Sequence, residues 1–304
     1  MRKLLIASTS IVLISACEVK TEQPTETVEM QAVAPIEMAQ GDCELCPDMS
    51  VVQPASFEMG DWKDRGYGMV EGPKHTVSFT NAFEIAKHEV TIAQFRAFIE
   101  DSGYVSEKKC MIYTDTESWH VSESRSWQNP GFPQEADHPV VCVSLEDTQA
   151  YIGWLNEKTG HTYRLTSEAE WEYLAAHGGI EEENGEVTHN VANIGQSECC
   201  GGKVEGADQW QYTAPVGSFS NDVFGIYDIR GNAWEWQADC FAESYDGAPA
   251  DGSIRSGCEN TVERVVRGGG YADGGEYMDP HFRLPGKLAN GYFTVGFRVA
   301  RDLN

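Results

Sequence analysis

The stretch at residues 225–236 reads GIYDIRGNAWEW, and it is the part of the sequence that most constrains the fold. Short apolar runs alternate in it with Gly, Asp and Asn, a pattern typical of short strands joined by ordered loops. The same alternation continues through residues 180–304 without a helical period. Large aromatic side chains dominate the packing of loop-rich domains, so Trp171, Trp234 and Trp236 are predicted to lie in the core.

Upstream of this stretch, the sequence predicts three helices, each with a polar cap before an apolar face and a Gly after it. The caps and stops are Thr91 and Gly103, Ser144 with Asp147 and Gly160, and Ser167 with Glu170 and Gly178. Glu170 is therefore interpreted as a cap and not as a catalyst. A few helices followed by many short strands predict an α+β fold with little regular secondary structure.

The N-terminus carries the features of an export signal. Arg2 and Lys3 precede an uncharged apolar run at residues 4–13, about half of the ~20 residues that span a bilayer. Residues 1–16 are therefore predicted to be a signal peptide. Residues 13–17 resemble the lipobox of bacterial lipoproteins, which implies lipidation of Cys17 and a lipid-anchored position in the cell envelope.

Glu18 follows this cysteine, which by analogy with that class implies the outer membrane, facing the periplasm. The alternative is an ordinary secretory signal cleaved after Ala16, which would leave a soluble periplasmic protein. Residues 17–42 contain no aromatic residue and are rich in Thr, Glu, Gln and Pro, so they are predicted to form a disordered tether.

The chain is strongly acidic, with 48 Asp and Glu against 22 Lys and Arg and a formal charge of −26. Such a surface repels phosphate, so nucleic acid and anionic lipid are not expected as partners. Contact with a membrane is expected through the lipid anchor only. Divalent cations and cationic peptides or sugars fit this charge better.

Eight cysteines remain when Cys17 is set aside, an even number that favours disulfides in an oxidising compartment. They are Cys43, Cys46, Cys110, Cys142, Cys199, Cys200, Cys240 and Cys258. Cys110 with Cys142, and Cys240 with Cys258, each bracket a loop-rich stretch and are predicted pairs, although spacing does not prove connectivity. The alternative for the other four cysteines is a four-thiolate zinc site.

Seven motifs follow one another along residues 49–301. They read FEMG at 57–60, EVT at 89–91, HPVV at 138–141, YRLTSEAEWEY at 163–173, GIYDIRGNAWEW at 225–236, RGG at 267–269 and GFR at 296–298. In content and order they resemble the formylglycine-generating enzyme, or sulfatase-modifying factor, family. The resemblance implies that residues 43–304 form one domain of the C-type-lectin-like variety with structural calcium.

Oxygen-rich turns are the candidate calcium sites. Gly231 permits a tight turn, so that the Asp228 and Glu235 side chains can converge with the Gly231 and Ala233 carbonyls, a set of hard oxygen ligands. The resemblance matches this segment to one family calcium site. It matches the other site to the side chains of Asn193 and Asp208 and the carbonyls of Ile194 and Trp210. The alternative is that these acids are solvated or cap backbone amides.

The catalytic positions depart from the family. Family enzymes that oxidise a sulfatase cysteine use two cysteines just after the RGG segment to bind copper and activate oxygen. Alignment on residues 267–269 puts Asp273 and Met278 at these positions. A hard carboxylate and a neutral thioether do not replace two soft thiolates, so cysteine-directed formylglycine synthesis is not expected.

An acidic segment occupies the corresponding place. Asp273, Glu276, Asp279 and His281 fall within nine residues and could ligate a borderline metal such as Fe(II) or Mn(II). The alternative is a solvated acidic loop. Asp273, Glu276 and His281 are the catalytic candidates.

Two functions therefore remain open. The first is an accessory domain that binds an extracytoplasmic peptide, glycan or small molecule. The second is an oxidoreductase of altered chemistry that acts on a secreted peptide or metabolite.

Overall fold

The computed structural model describes residues 43, 45–62, 71–107, 109–114, 118–180, 182–183, 186–196, 200–257 and 262–303. The predicted signal peptide, Cys17 and the predicted tether lie outside the described residues, as do Cys199 and Cys258. In these described ranges no helix is long and apolar enough to cross a membrane.

The three predicted helices are present, with bounds set by their caps. They are α1 (Ile92–Ser102), α2 (Leu145–Thr159) and α3 (Glu168–His177). Each begins with the predicted N-cap, Thr91, Ser144 or Ser167, whose side-chain oxygen accepts a hydrogen bond from a backbone N–H in the first turn. The first two helices end at a Gly in the left-handed conformation, whereas α3 ends at Gly178 with ordinary right-handed dihedrals.

The strands are short and form three sheets. Their bounds are β1 (Met49–Val52), β2 (Ser56–Met59), β3 (His75–Ser78), β4 (Phe83–Ala86), β5 (Cys110–Thr114), β6 (Ser118–Ser122), β7 (Tyr163–Leu165), β8 (Trp234–Cys240), β9 (Glu263–Arg267), β10 (Arg283–Lys287), β11 (Gly291–Tyr292), β12 (Val295–Gly296) and β13 (Val299–Asp302). The order is β10-β9-β8-β12-β11-β5-β6 in the largest sheet and β1-β4-β13-β7 in the second. Strands β2 and β3 form a hairpin. The α+β fold class is thereby confirmed.

Strand β8 organises the largest sheet, and it begins within the GIYDIRGNAWEW stretch. It pairs antiparallel with β9, where Trp236 lies opposite Val266, and parallel with β12, where Trp234 lies opposite Val295. Alternate residues of a strand share a face, so the two tryptophans lie on one face and Glu235 on the other. The indoles of Trp171, Trp234 and Trp236 are buried, as predicted.

A buried ion network ties α3 to β9 and β10. Arg267 donates to Glu168 and Glu172, and Arg283 donates to both oxygens of Glu168. Glu172 also accepts a hydrogen bond from the backbone N–H of Gly60. Burial alone would raise the pKa of Glu172, but Arg267 and the hydrogen bond from His281 lower it to about 2.

Two disulfides lie wholly within the described residues. Cys110 pairs with Cys142, as predicted, and Cys43 pairs with Cys46. The second bond rules out the zinc alternative, because a disulfide sulfur is no longer a thiolate ligand. Cys200 and Cys240 are also disulfide-bonded.

Candidate functional site

A cavity of about 250 Å³ lies beside the largest sheet, in the region where β8, β9, β10, β11 and β12 meet. Its walls are mostly apolar and include three aromatic side chains, those of Trp119, Trp234 and Tyr292. The remaining lining residues are Met111, Cys200, Val266, Ala272, Asp273, Leu284, Pro285, Gly286, Lys287, Thr294 and Val295. We call it the Asp273 cavity. A concave, mostly apolar pocket with few polar groups is typical of a ligand site.

Asp273 is the acid in the cavity wall. Its side chain is buried, and its Oδ2 accepts a hydrogen bond from Trp234 Nε1 at 2.8 Å. Burial, together with a smaller effect of nearby Glu276, raises its pKa from an ordinary 3.8 to about 6. Hydrogen bonds from Trp234 and from the Gly270 backbone act in the opposite direction. A carboxyl with a pKa near neutrality gains or loses a proton easily at physiological pH.

The glycines after β9 allow the tight turn that leads the chain from β9 to Asp273. Gly268 and Gly269 both have positive φ, 111° and 71°, which few other residues adopt. A Cβ on Gly269 would lie 2.4 Å from the Met278 side chain. The chain thus turns tightly out of β9, with Met278 packed directly against the turn.

The two positions that hold cysteines in family enzymes have different surroundings. Asp273 lines the cavity, whereas Met278 is fully buried in a small core with Val187, Ala192 and Ile194. Met278 therefore serves packing, and the pair does not present two ligands to a shared metal.

The other residues of the acidic segment do not line the Asp273 cavity. Glu276 is exposed on a short 3₁₀ helix at Gly275–Met278, and Asp279 accepts a hydrogen bond from the backbone of His281. His281 Nδ1 lies 2.9 Å from Oε1 of Glu172, so it belongs to the buried ion network. Across the described residues, no group of three or more His, Cys, Asp and Glu side chains is arranged to hold a metal ion. The structure does not bring Asp273, Glu276 and His281 together as a metal centre.

The first candidate calcium site is the acidic turn that contains half-buried Asp228. Asp228 has positive φ (54°), as does Gly231 (100°), so the turn is as tight as predicted. Burial raises the pKa of Asp228 to about 6 and also raises the pKa of Glu235, while Arg298 lowers both. Both oxygens of Glu235 are already engaged, Oε1 by Arg298 and Oε2 by Trp171 Nε1.

Glu89 is a member of this cluster that the sequence analysis did not include. Its Oε1 accepts from Asn232 Nδ2, but its buried Oε2 has no hydrogen-bond partner among the described residues. Burial and nearby Asp228 raise its pKa well above the usual range. Arg298 faces the buried carboxyls of Glu89 and Glu235 and the half-buried carboxyl of Asp228, an excess of negative charge that a cation would offset. Asp228, Glu89 and the turn carbonyls are the oxygen donors that would hold a calcium ion here.

The second candidate site forms around Asp208, which is fully buried. Its two oxygens accept hydrogen bonds from the backbone N–H groups of Ile194 and Trp210 and from His189. Asn193 donates its amide to Asn232 and Tyr212, and its buried Oδ1 has no partner among the described residues. Both predicted side-chain ligands thus lie in one loop cluster, and the Asn193 amide oxygen, which has no hydrogen-bond partner among the described residues, is a possible ion ligand.

Comparison with known proteins identifies the family. Residues 36–303 match the model of the Sulfatase-modifying factor enzyme 1-like domain, and the chain belongs to this family. The formylglycine-generating enzyme of Mycobacterium tuberculosis is 28% identical over 298 residues, which cover 81% of this chain and 95% of the relative. The match confirms the resemblance seen in the ordered motifs.

Solved structures show the same fold. The structure of PvdO from Pseudomonas aeruginosa superposes with a TM-score of 0.72 at 31% identity, covering 88% of this chain and 100% of that one. Treponema denticola variable protein 1 superposes with a TM-score of 0.59 at 21% identity, covering 84% and 95%. The predicted C-type-lectin-like formylglycine-generating-enzyme fold is confirmed, with few helices and mostly short strands.

Proposed function

We propose that this protein is a ligand-binding member of its family. In this proposal the Asp273 cavity takes part of an extracytoplasmic peptide, glycan or small molecule, without the cysteine- and copper-dependent synthesis of formylglycine. The observation that carries the proposal is the fate of the two catalytic positions: Asp273 lines an apolar cavity and Met278 is buried in the core.

The chemistry of the donors supports this choice. Linear copper(I) is held by two soft anionic sulfurs, and neither a carboxylate nor a buried thioether supplies one. Cys200 also lines the cavity, but its sulfur is in a disulfide and is not a thiolate. The Asp273 cavity therefore offers a concave apolar surface and one carboxylate, which are features typical of a ligand-binding site.

One experiment separates the proposal from family chemistry. The purified protein is incubated with copper, reductant, oxygen and a sulfatase-type Cys peptide, and the peptide mass is followed. We expect no mass loss from thiol-to-aldehyde conversion. Repeated turnovers would contradict the proposal, and an active family enzyme assayed in parallel controls for the reagents.

The alternative function is an oxidoreductase of altered chemistry, and Asp273 is the observation that favours it. A buried carboxyl with a pKa of about 6 beside a cavity has the properties of a general base. Metal analysis and oxygen uptake distinguish the two functions. Calcium alone without oxygen uptake favours binding, whereas stoichiometric iron, copper or manganese favours the oxidoreductase.

Calcium forms a second part of the proposal. Supporting observations are the oxygens of Glu89 and Asn193 that have no hydrogen-bond partner among the described residues, the buried carboxyl of Asp208 and the half-buried carboxyl of Asp228. When bound, the ion would supply positive charge next to carboxylates that burial has removed from solvent. Its role would be to hold the loops on which the cavity depends.

The third part concerns location. The export signal and lipobox-like segment support a lipid-anchored protein of the cell envelope, on the periplasmic face of the outer membrane. The tether would then separate the membrane from a domain whose disulfides suit an oxidising compartment.

A further inference from the structure

The walls of the Asp273 cavity favour one class of ligand. Trp119 is 48% exposed at the cavity and lies edge-on to Phe293 at 5.8 Å between ring centroids. Trp234 and Tyr292 add two further rings to the lining. Aromatic faces attract cations as well as apolar groups, because the ring quadrupole is negative above its plane.

The charge inside the cavity is negative. Asp273 is the one carboxyl among its described lining residues, and Glu276 is close enough to oppose its ionisation. Lys287 also lines the cavity, but its side chain is exposed. A buried carboxylate is costly without a charged partner, and a cation at this position would remove much of that cost.

The hydrogen bonds already made to Asp273 do not neutralise it. Trp234 Nε1 and the Gly270 N–H are neutral donors, so they satisfy lone pairs and leave the negative charge in place. The formal charge of −26 on the whole chain further raises the local concentration of cations. Neutral or anionic ligands would gain nothing from either effect.

We propose that the Asp273 cavity binds a compact ligand in which an ammonium group pairs with Asp273 while an apolar body contacts Trp119, Trp234 and Tyr292. This inference rests on the proposed binding function and names its ligand class. At about 250 Å³, the cavity is smaller than the usual range for drug-sized ligands, so it suits a single ring or a side chain. The ammonium can belong to a free small amine or to a peptide lysine.

The test uses probes that share one body and differ in charge. Phenethylamine, 2-phenylethanol and phenylacetate are each titrated into the full chain, and binding is followed by the indole N–H signals in NMR. Exposed Trp62, which does not line the cavity, reports non-specific effects. Nα-acetyl-lysine amide is the peptide-like arm, so its affinity relative to phenethylamine distinguishes a peptide lysine from a free amine.

Two variants assign any binding to the carboxylate. Asp273→Asn keeps the side-chain shape and removes the charge, and it should weaken binding of the amines roughly 10- to 100-fold. Glu100→Gln removes one exposed charge on α1, outside the cavity lining, and should leave amine binding within about twofold of the wild type. Folding of both variants is checked by the dispersion of the same NMR spectra.

The outcomes are distinct. The inference is supported if either amine binds more tightly than the alcohol and the acid, and if Asp273→Asn loses this preference. Equal binding of amine, alcohol and acid, or unchanged amine binding in Asp273→Asn, overturns the inference but leaves the binding site in place. If no probe shifts a cavity signal, the inference fails, whereas the proposed function is contradicted only by conversion of the sulfatase-type Cys peptide.

Discussion

Trp234 Nε1 donates a hydrogen bond of 2.8 Å to Oδ2 of Asp273, so a core tryptophan holds the carboxyl that stands at the first thiol position of the family. The same carboxyl is buried next to an apolar cavity. The indole therefore fixes the orientation of the acid, while the surroundings make its ionised form unfavourable in the absence of a partner. Ionised Asp273 should therefore lower the folding stability of the ligand-free protein.

The first prediction is that Asp273→Asn stabilises the ligand-free protein near pH 7.5. Asp273 binds its proton more tightly when folded, with a pKa of about 6 against 3.8, so its contribution is complete below about pH 4 and is lost as pH rises through 6. Asn does not titrate and keeps an oxygen for Trp234. We expect a gain of about 1–3 kcal/mol in urea unfolding at pH 7.5 that disappears near pH 3.5.

Glu100→Gln is the control for that experiment, because it changes one exposed acid on α1 that does not line the cavity. An Asp273→Asn protein that is less stable than the wild type at pH 7.5 would contradict the argument. It would mean that the carboxylate already has a charged partner in the folded protein.

The second prediction concerns calcium. Chelation should lower the melting temperature and added calcium should restore it, because an ion bound only by the folded protein stabilises it by mass action. Glu89→Gln should remove part of this response, since it replaces the unpartnered carboxylate oxygen by a neutral amide group. The measurement is thermal unfolding with chelator and with excess calcium.

Asp228→Asn is a matched comparison for Glu89→Gln, because each change removes one negative charge and keeps one side-chain oxygen as a possible calcium ligand. We expect both variants to retain part of the calcium response. Identical melting curves for the wild type with chelator and with calcium would show that neither candidate site binds the ion.

The third prediction addresses the buried ion network. Glu172→Gln leaves Arg267 without one of its carboxylates and should cost about 3–5 kcal/mol in stability at pH 7. The folded pKa of Glu172 is lowered to about 2, so its contribution is present above about 4.5 and is lost as pH falls through 2. The wild type should therefore lose stability in this acid range more steeply than the variant.

Glu205→Gln is the matched control, because Glu205 pairs with Lys203 on the surface. Denaturant unfolding at pH 7 and between pH 4.5 and 2.5 should show little effect of this change. Equal effects of the two substitutions would mean that burial of the Glu172 pair is not important for stability.

The fourth prediction concerns localisation. Cys17→Ser should release the protein into the soluble periplasmic fraction with unchanged folding, because the proposed lipid would attach at Cys17, outside the folded domain predicted for residues 43–304. Fractionation of cells with detection of the protein measures this, and the melting curve of the released protein checks its fold. Membrane association that persists in the variant would show that something other than a lipid on Cys17 holds it there.

Local signals in the sequence predicted local structure correctly. The capping boxes at Ser144 and Ser167 involve groups three residues apart, so the sequence contains the complete interaction. Burial of Trp171, Trp234 and Trp236 also followed from residue type, since such large side chains are costly to expose. The ordered motifs carried the family resemblance, because turns with Gly at positive φ tolerate few substitutions.

The site required the tertiary structure. Glu172 and His281 are 109 residues apart in sequence, and Glu89 and Asn232 are 143 apart, yet each pair is hydrogen-bonded. No local pattern marks such contacts, since they depend on how α3, β9 and the surrounding loops pack. For this reason, residue spacing makes His281 a metal candidate together with Asp273, and nothing in the sequence marks Glu89 as a neighbour of the Asp228 turn.

The sequence by itself determined the helices with their caps, the α+β class, the family and the absence of the catalytic cysteine pair, because each depends on residue identity or on neighbours a few positions away. Only the tertiary structure decided that Asp273 lines an apolar cavity while Met278, five positions later, is buried in the core. The physical reason is that burial and pKa are set by groups from distant segments. The indole of Trp234 reaches Asp273 across 39 residues of sequence.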